Sequence, residues 1–567
     1  MSGHPDHTQR RCFRSAGRRP VSRSCCACMI TSLAVLCAAS AVNAEAPAID
    51  TLFPAGGQIG QTVSVEVKGK AGTGPMQFWS SDAKVSLSAV EKDGKLEDGK
   101  LNVTIDPTSE PGFAWIRIYN TDGASKLLPF YKGHLTELAE NEPNEAVDQA
   151  QPTEQLPVVM NGLLQKGGDV DTYSVALKAG EQLVAAVSAL RGIGSRMDGI
   201  LQILSPDGFV ILQNDDERGF DPHLTFTPAT DGIYFVRLFG FPADPNSSIA
   251  FAGNSSWAYR LTLTTGPYAD SVQPLALAAD SSKELIIRGW NIRQDAASIP
   301  VSWADGRPVF PTDIPPTAIP LQSLPVVSGQ SLTESAAAST QPLTPPCFIT
   351  GVIENPGEVD SYRIAAAKGA TLRFRVRALS LGGALDPVLK VVRPDGKELK
   401  TVDDISRDNR DVNDVLKMPV EGEYTATVTD RFDSGGLRYF YQLSAEVEGP
   451  TVELTVTESH FTLEPDKALE IPVRVERHGG FAQELTITAE DLPEGVTVEP
   501  VVVPAKGDTK KPATLKITTD GKAPFNGPIR IVGRTSGDSP LVAMATAETI
   551  EGLPATTSLW LTVTVKK

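Results

Sequence analysis

The chain has 567 residues, a formal net charge of −17 at pH 7 and 21% charged side chains. Six arginines and one aspartate lie in its first 44 residues, so removing that stretch would take the charge to −22. A surplus of carboxylates of this size excludes nucleic acid and anionic membranes as natural partners, since both need basic patches that release counterions; it favours divalent cations.

Taken from the N-terminus, Arg10, Arg11, Arg14, Arg18, Arg19 and Arg23 precede an apolar run from Met29 to Ala44. A basic stretch, an apolar stretch and small residues (Val42, Ala44) at the cleavage positions predict a signal peptide over 1–44 and a mature start at Glu45. The run is shorter than the ~20 residues that span a bilayer, so an anchor is disfavoured and no membrane insertion is expected after cleavage. Leu36 occupies the place where lipid modification of Cys37 requires a small residue. Five of the six cysteines fall in this leader, leaving Cys347 alone. No intramolecular disulfide can then form, and every domain must be held by its own apolar core.

Beyond the leader, apolar and polar residues alternate in short runs between Gly, Pro, Asn and Asp clusters. Val63-Ser-Val-Glu-Val67, Leu101-Asn-Val-Thr-Ile105, Leu469-Glu-Ile-Pro-Val-Arg-Val475 and Leu559-Trp-Leu-Thr-Val-Thr-Val565 are examples. A period of two puts one set of side chains inward and the other toward water, so the fold class is all-β, with tandem β-sandwich domains.

The first unit, 45–134, opens on Leu52-Phe-Pro-Ala-Gly-Gly57 and closes on Gly112-Phe-Ala-Trp-Ile-Arg-Ile-Tyr-Asn-Thr-Asp-Gly-Ala-Ser125. It resembles the immunoglobulin-like TIG family. The strongest organisational signal follows, an internal repeat. Asn161-Gly-Leu-Leu-Gln-Lys-Gly-Gly-Asp-Val-Asp-Thr-Tyr-Ser-Val175 aligns without a gap onto Thr350-Gly-Val-Ile-Glu-Asn-Pro-Gly-Glu-Val-Asp-Ser-Tyr-Arg-Ile364, 189 residues later. Ser205-Pro-Asp-Gly208 then meets Arg393-Pro-Asp-Gly396, Asp215-Asp216 meets Asp403-Asp404, and Asp231-Gly-Ile-Tyr234 meets Glu421-Gly-Glu-Tyr424. With the Glu-Pro-Asn segment before the first copy, this order resembles the bacterial pre-peptidase C-terminal (PPC) domain. The resemblance implies two jelly-roll-like sandwiches, at 135–268 and 340–449, of a kind appended to secreted enzymes or strung with other β modules.

Between the copies, 269–339 reads as a small β segment, clearest at Glu284-Leu-Ile-Ile-Arg-Gly-Trp290, and a Pro-rich linker of partial order with limited flexibility. The last unit, 450–567, carries Leu492-Pro-Glu-Gly-Val496 and resembles the NEW3-like immunoglobulin-like modules of secreted glycosidases.

Candidate chemistry centres on the acidic lead-in Glu140-Asn-Glu-Pro-Asn-Glu145 and on Asp169 and Asp171, alternate residues on a strand expected nearby. Hard oxygen ligands clustered in this way suit Ca²⁺. The resemblance extends to the collagen-binding domains of bacterial collagenases, where a linker of Glu-x-Glu-x-Asn type binds calcium, and it implies Glu140, Glu142, Asn144 and an aspartate of the 169/171 pair as ligands. The plainer reading has Asp169 ending a turn, Asp171 capping a strand and the lead-in solvated. The second copy lacks the lead-in and has Glu358 for Asp169, so the site is not expected there. Asn214-Asp-Asp-Glu217 and Asp403-Asp404 read as turns.

Catalytic patterns do not emerge. Four histidines remain after the leader (134, 223, 460, 478), none in a zinc-binding spacing, and there is no Gly-x-Ser-x-Gly elbow. Cys347, between Pro346 and Phe348, reads as a buried small hydrophobe. The long aromatic loop Phe239 to Trp257 has no counterpart of like character in the second copy, so Phe241, Asn246, Phe251 and Trp257 are candidate contact residues; the bland alternative is that Phe251 and Trp257 plug the end of the sandwich. These readings predict a noncatalytic exported protein, periplasmic, cell-surface or extracellular. Its sandwiches would bind a protein or polysaccharide of the envelope or extracellular matrix. The rival readings are a carboxylate-based secreted hydrolase and a purely structural spacer.

Overall fold

The computed structural model describes residues 45–92, 95–243, 251–279, 282–294, 297–334, 342–407, 409–506, 511–537 and 540–566. The expected leader lies outside the described residues, as does Asn246. Strands take 54% of the described residues and helix 3%, which makes the fold all-β.

In the first unit, the sheet Ala48–Phe53, Thr62–Lys70, Lys95–Ile105, Val85–Lys92 faces the sheet Gly56–Gln58, Leu128–Gly133, Gly112–Asn120, Gln77–Ser80. The alternation in sequence becomes alternation in space. Val65, Leu101 and Val103 are fully buried between the sheets with Ile116 and Phe130, while Ser64 points to solvent.

The two aligned segments share one strand order. In the first sandwich one sheet runs Thr136–Ala139, Val158–Leu163, Ala258–Thr264, Leu183–Ser188, His223–Phe226; in the second, Gln330–Thr333, Cys347–Val352, Phe440–Val447, Thr371–Arg377, Val412–Lys417. The facing sheets run Gln151–Thr153, Asp171–Leu177, Gly232–Pro242, Met197–Leu204, Val210–Asn214 and Asp360–Ala366, Gly422–Asp430, Pro387–Val392, Glu398–Val402. A single parallel bridge, Leu343 to Ile364, stands where the first sandwich has its strand Gln151–Thr153. The second sandwich thus takes in a strand that lies before residue 340.

The described residues of 269–339 hold more regular structure than their prolines predict. Tyr268–Gln273, Glu284–Trp290 and Ser298–Pro300 form a sheet whose core holds Leu275, Leu277, Leu285, Ile319, Leu321 and Leu324 and continues into the second sandwich through Val352 and Phe440. The apolar residues spaced between the prolines supply burial that the Pro pattern alone conceals. A buried ion cluster joins these parts: Arg438 of the second sandwich lies 3.2 Å from Asp270 and 3.3 Å from Glu217 of the first, and donates to the Gly382 carbonyl at 2.9 Å.

The last unit is a ten-stranded sandwich in which Ile471, Val473 and Val475 point inward from the strand Leu469–His478. Among the described residues, no helix is long and apolar enough to cross a membrane.

Candidate metal centre and adjacent aromatic surface

The acidic lead-in follows the edge strand Thr136–Ala139, which pairs in parallel with Val158–Leu163. That pairing carries on for one residue: the Glu140 amide donates to the Asn161 carbonyl at 2.8 Å, and the Leu163 amide donates back to Glu140 Oε2 at 2.8 Å. Glu140 is thereby aimed into the end of the sandwich. From the facing sheet the first residue of Asp171–Leu177 meets it, and Glu140, Glu142 and Asp171 offer oxygens that all lie within 4.8 Å of one another.

Asp171 is held by a tyrosine ladder. Tyr259 Oη donates to Asp171 Oδ2 at 2.6 Å, and Tyr173 Oη lies 2.6 Å from Tyr259 Oη, both rings being fully buried. The ladder needs Gly162, because a Cβ there would stand 2.1 Å from Tyr259 Oη. Asp169 ends the turn 166–169, accepts the Gln165 amide on Oδ2 and is 1% exposed. Asn144 is fully buried, and its carbonyl accepts the Thr172 amide at 3.0 Å.

The arrangement is short of donors. Glu140 and Asp171 meet side chain to side chain; Glu140 Oε1, Asn144 Oδ1, Asp169 Oδ1 and Asp171 Oδ1 are buried without a donor from any other group, the Asn144 Nδ2 beside them is likewise buried and unpartnered, and none of Glu140, Glu142, Asp169 or Asp171 forms an ion pair with a described Lys or Arg. Burial pushes the Glu140 carboxyl well above the ordinary range, with the Asp171 charge adding to it. Asp171 is raised by burial and by Asp169 and Glu142, against the lowering effect of the Tyr259 hydroxyl. Glu142 is raised by burial and by Asp169 and Glu145. Buried carboxylates held together without compensating charge are costly unless a cation joins them. The donor set of carboxylate and amide oxygens fits a hard divalent ion.

The five sequence candidates for the metal centre therefore gather at one end of one sandwich. Glu140, Glu142 and Asp171 share a focus; Asp169 and Asn144 stand beside it. A related cluster in the second sandwich was not anticipated. Glu334 follows the strand Gln330–Thr333 as Glu140 follows its own; its amide donates to Thr350 O at 2.7 Å and its Oε2 accepts the Val352 amide at 3.2 Å. Tyr441 Oη donates to Asp360 Oδ2 at 2.6 Å and lies 2.8 Å from Tyr362 Oη. The signal that could have found Glu334 was its place straight after a strand that pairs with the repeat motif. Glu358, which aligns with Asp169, instead accepts the Asn355 amide and Nδ2 at 2.8 and 3.1 Å.

The aromatic loop packs on the turn that carries Asp169: the Gly168 amide donates to Phe251 O at 3.1 Å and the Asn254 amide to Leu164 O at 2.8 Å. Phe251 is 49% exposed, with ring centroids 4.6 Å from Phe239 and 5.6 Å from Phe241. Trp257 does not belong to that surface. It is 7% exposed and packs in the sandwich core with Tyr259 and Leu261, where its large apolar area is worth more than at the rim.

The other sequence candidates take structural places. In the acidic turns the Asp216 amide donates to Asp215 Oδ1 at 3.1 Å and the Asp404 amide to Asp403 Oδ1 at 2.9 Å. Cys347 is fully buried in the second core, where desolvation pushes its thiol up to about 12. His223 is buried, stacks on Trp290 at 4.3 Å and is pushed down to about 3 by desolvation. Glu453, Glu476 and His478 form a further group within 4.8 Å, on adjacent strands of the last sandwich.

Comparison with known proteins adds the following. A 98-residue stretch is 33% identical to a probable subtilase-type serine protease of Deinococcus radiodurans, covering 17% of this chain and 14% of the protease. The chain thus spans about a seventh of that relative's length. Among solved structures, the insect immune protein hemolin aligns over 89% of this chain and 100% of its own, at 11% identity and a TM-score of 0.20. Tripeptidyl peptidase 2 aligns over 87% of this chain and 39% of its own, at 11% identity and a TM-score of 0.13. Residues 169–240, which contain both Asp169 and Asp171, match the family described as the bacterial pre-peptidase C-terminal domain, and this part of the chain is such a domain.

Proposed function

We propose that the chain is an exported, noncatalytic envelope protein in which two PPC-type sandwiches, flanked by TIG-like and NEW3-like units, bind a protein or polysaccharide partner. In this reading Ca²⁺ rigidifies the first sandwich through Glu140, Glu142 and Asp171, with Asn144 and Asp169 beside them. The observation that carries it is the set of four buried, unpartnered oxygens where the acidic lead-in meets the strand. A bound cation would neutralise the repulsion, fix the lead-in against the sheet and steady the adjoining turn, on which the surface formed by Phe241 and Phe251 over buried Phe239 rests. The likeness of 98 residues to a probable subtilase-type serine protease is in keeping with export. A glycoside hydrolase places its two carboxyls about 5 Å or more apart across an open cleft; Asp171 has no exposed surface, which favours binding over hydrolysis.

Thermal unfolding of the full chain in calcium and in chelator tests the metal. A ligand at 100 times its Kd stabilises by about 2.7 kcal/mol, so the transition of the first sandwich rises in calcium, and the rise disappears in Glu140→Gln and Asp171→Asn. An unchanged midpoint in the wild type removes calcium from the reading. Cosedimentation with isolated envelopes tests the surface: Phe251→Ser lowers binding if the Phe241 and Phe251 pair is the contact, and wild-type protein that never sediments leaves the spacer reading.

A further inference from the structure

A second site lies where the modules converge. A cavity of about 590 Å³ is walled by the first unit, both repeat sandwiches, the Pro-rich segment and the loop 548–555 of the last unit. That size falls within the roughly 300–1,000 Å³ of small-ligand pockets, which concentrate at domain junctions. Its wall carries one cation more than it has carboxylates (Glu137, Asp221, Glu548 and Glu551) in a protein that is strongly acidic. Lys132, Arg191, Arg218, Arg260 and Arg377 all line it.

Three of these cations are committed. Lys132 pairs with Asp82. Arg260 pairs with Glu137 and lies over the Tyr131 ring at 4.8 Å. Arg191 pairs with Glu551 at 2.7 Å and donates to Ser380 O at 3.0 Å, tying three modules together. Asp221 accepts the amides of Ala189, Leu190 and Arg191 and makes no ion pair with a cavity arginine, although its charge still acts on Arg191.

Arg218 and Arg377 remain. Among the described residues no carboxylate lies within ion-pair distance of either. Arg218 is 7% exposed, its Nε has no hydrogen-bond partner, its side chain meets the Tyr268 hydroxyl, and Arg191, His223 and Arg438 stand near it. Arg377 Nε donates to Ser380 Oγ at 3.4 Å, and the opposing charge that acts on it is Asp411, beyond ion-pair distance. Gly382 makes room for the crowding: a Cβ there would stand 2.9 Å from Arg218 Nη2 and 3.4 Å from Arg191 Nε. A buried guanidinium without a counterion, held beside another guanidinium, is an arrangement that an incoming anion relieves.

We infer that this cavity binds a small carboxylate-bearing ligand through Arg218 and Arg377, with Tyr131, Tyr268 and the Pro315–Pro316 wall covering its apolar part. Guanidinium groups match carboxylates bidentately, and the two rings and prolines give flat faces against a sugar ring or a peptide backbone. The ligand is an acidic sugar or a peptide C-terminus, two sources of the same chemistry. The inference does not depend on calcium or on the aromatic loop.

Isothermal titration of the full chain with glucuronate, trialanine, inorganic phosphate and neutral glucose tests it. The expected result is saturable binding of at least one of the two carboxylates and none of glucose. Glucuronate alone identifies an acidic sugar, trialanine alone a peptide end. Arg377→Gln, at a half-buried position, weakens binding at least tenfold with an unchanged melting curve, and Arg218→Gln does the same where it folds. The inference is overturned if neither carboxylate binds, if phosphate alone binds, if glucose binds as well as glucuronate, or if Arg377→Gln binds like the wild type.

Discussion

The two sandwiches of like strand order carry the same buried ladder and differ at its rim. In the first, Tyr173, Tyr259, Asp171 and Glu140 run inward to outward; in the second, Tyr362, Tyr441, Asp360 and Glu334 do so with hydrogen bonds of nearly the same length. Gly162 and Gly351 occupy the same aligned position and serve the same purpose, each leaving space for a tyrosine hydroxyl. What differs is the rim. The first sandwich adds Glu142, Asn144 and Asp169 and leaves four buried oxygens without donors, whereas Glu358 of the second is satisfied by Asn355. The ladder is therefore scaffold, common to both copies, and the extra oxygens are what make one copy a candidate cation site.

The largest expected effect comes from separating the two bodies so that each can be measured. Asp270→Ala removes one carboxylate from the buried cluster around Arg438, and breaking such a cluster costs about 3–5 kcal/mol. Calorimetry should then show the sandwiches melting apart, with calcium moving only the transition of the first. A single unsplit transition with the wild-type midpoint would mean that Asp270 does not join them.

A pH effect of the next size separates the copies at one aligned position. Asp221 and Asp411 accept amides in the same way, from Ala189 and Ala378, and two residues later the first sandwich has buried His223 where the second has exposed Asn413. His223 faces Asp270, Arg438 and Arg218 and is pushed down to about 3, chiefly by desolvation. As pH falls below about 6.5 the unfolded chain binds a proton that the folded chain refuses until about pH 3. Stability is thus lost across that window, on the order of a few kcal/mol. His460 of the last sandwich is also pushed down by burial, to about 4, so the readout is the difference between wild type and His223→Asn. The variant should have the flatter profile, and parallel profiles would show that His223 is not a source of acid sensitivity.

The ladder itself gives a smaller, paired test. Tyr259→Phe and Tyr441→Phe each take the donor from a buried aspartate, at a cost of about 1.5–3 kcal/mol in chelator. Calcium should recover part of the loss for Tyr259→Phe, because the cation supplies the neutralisation that the hydroxyl gave Asp171, and none for Tyr441→Phe. Equal recovery in both variants, read from melting midpoints, would erase the distinction between the copies.

How far the sequence discloses this contrast depends on whether the signal is local. Val65 and Val67, or Ile471, Val473 and Val475, alternate along single strands, and the structure buries them as the period predicts. The gapless match of Asn161 to Val175 with Thr350 to Ile364 likewise translates into one strand order. Glu334 escaped because the spacing changes: 21 residues separate Glu140 from Asn161, but only 16 separate Glu334 from Thr350. Trp257 and Phe251 sit in one loop, and only packing decides that the first is core and the second rim. Arg191, Arg218 and Arg377 come together from distant parts of the chain, so no linear pattern could announce the cavity they line.

The smallest expected change in stability concerns the outer strands of the two copies. After the shared Pro-Asp-Gly turn the first has Phe209, Val210, Ile211 and Leu212, all exposed, while the second has Lys397, Glu398, Leu399 and Lys400. Both segments end their sheets, and charged residues at such an edge discourage pairing with another chain. The apolar edge of the first copy contributes little to its own core, since its side chains face water on the outer strand. Giving it the charges of the second copy, as Phe209→Lys with Val210→Glu, should therefore shift the unfolding free energy by no more than about 0.5 kcal/mol. Its effect should appear instead in association: light scattering of the wild type at rising concentration should show more self-assembly than the double variant. If the two scatter alike, the exposed apolar strand is inert, and the edges of the two sandwiches differ in composition without differing in behaviour.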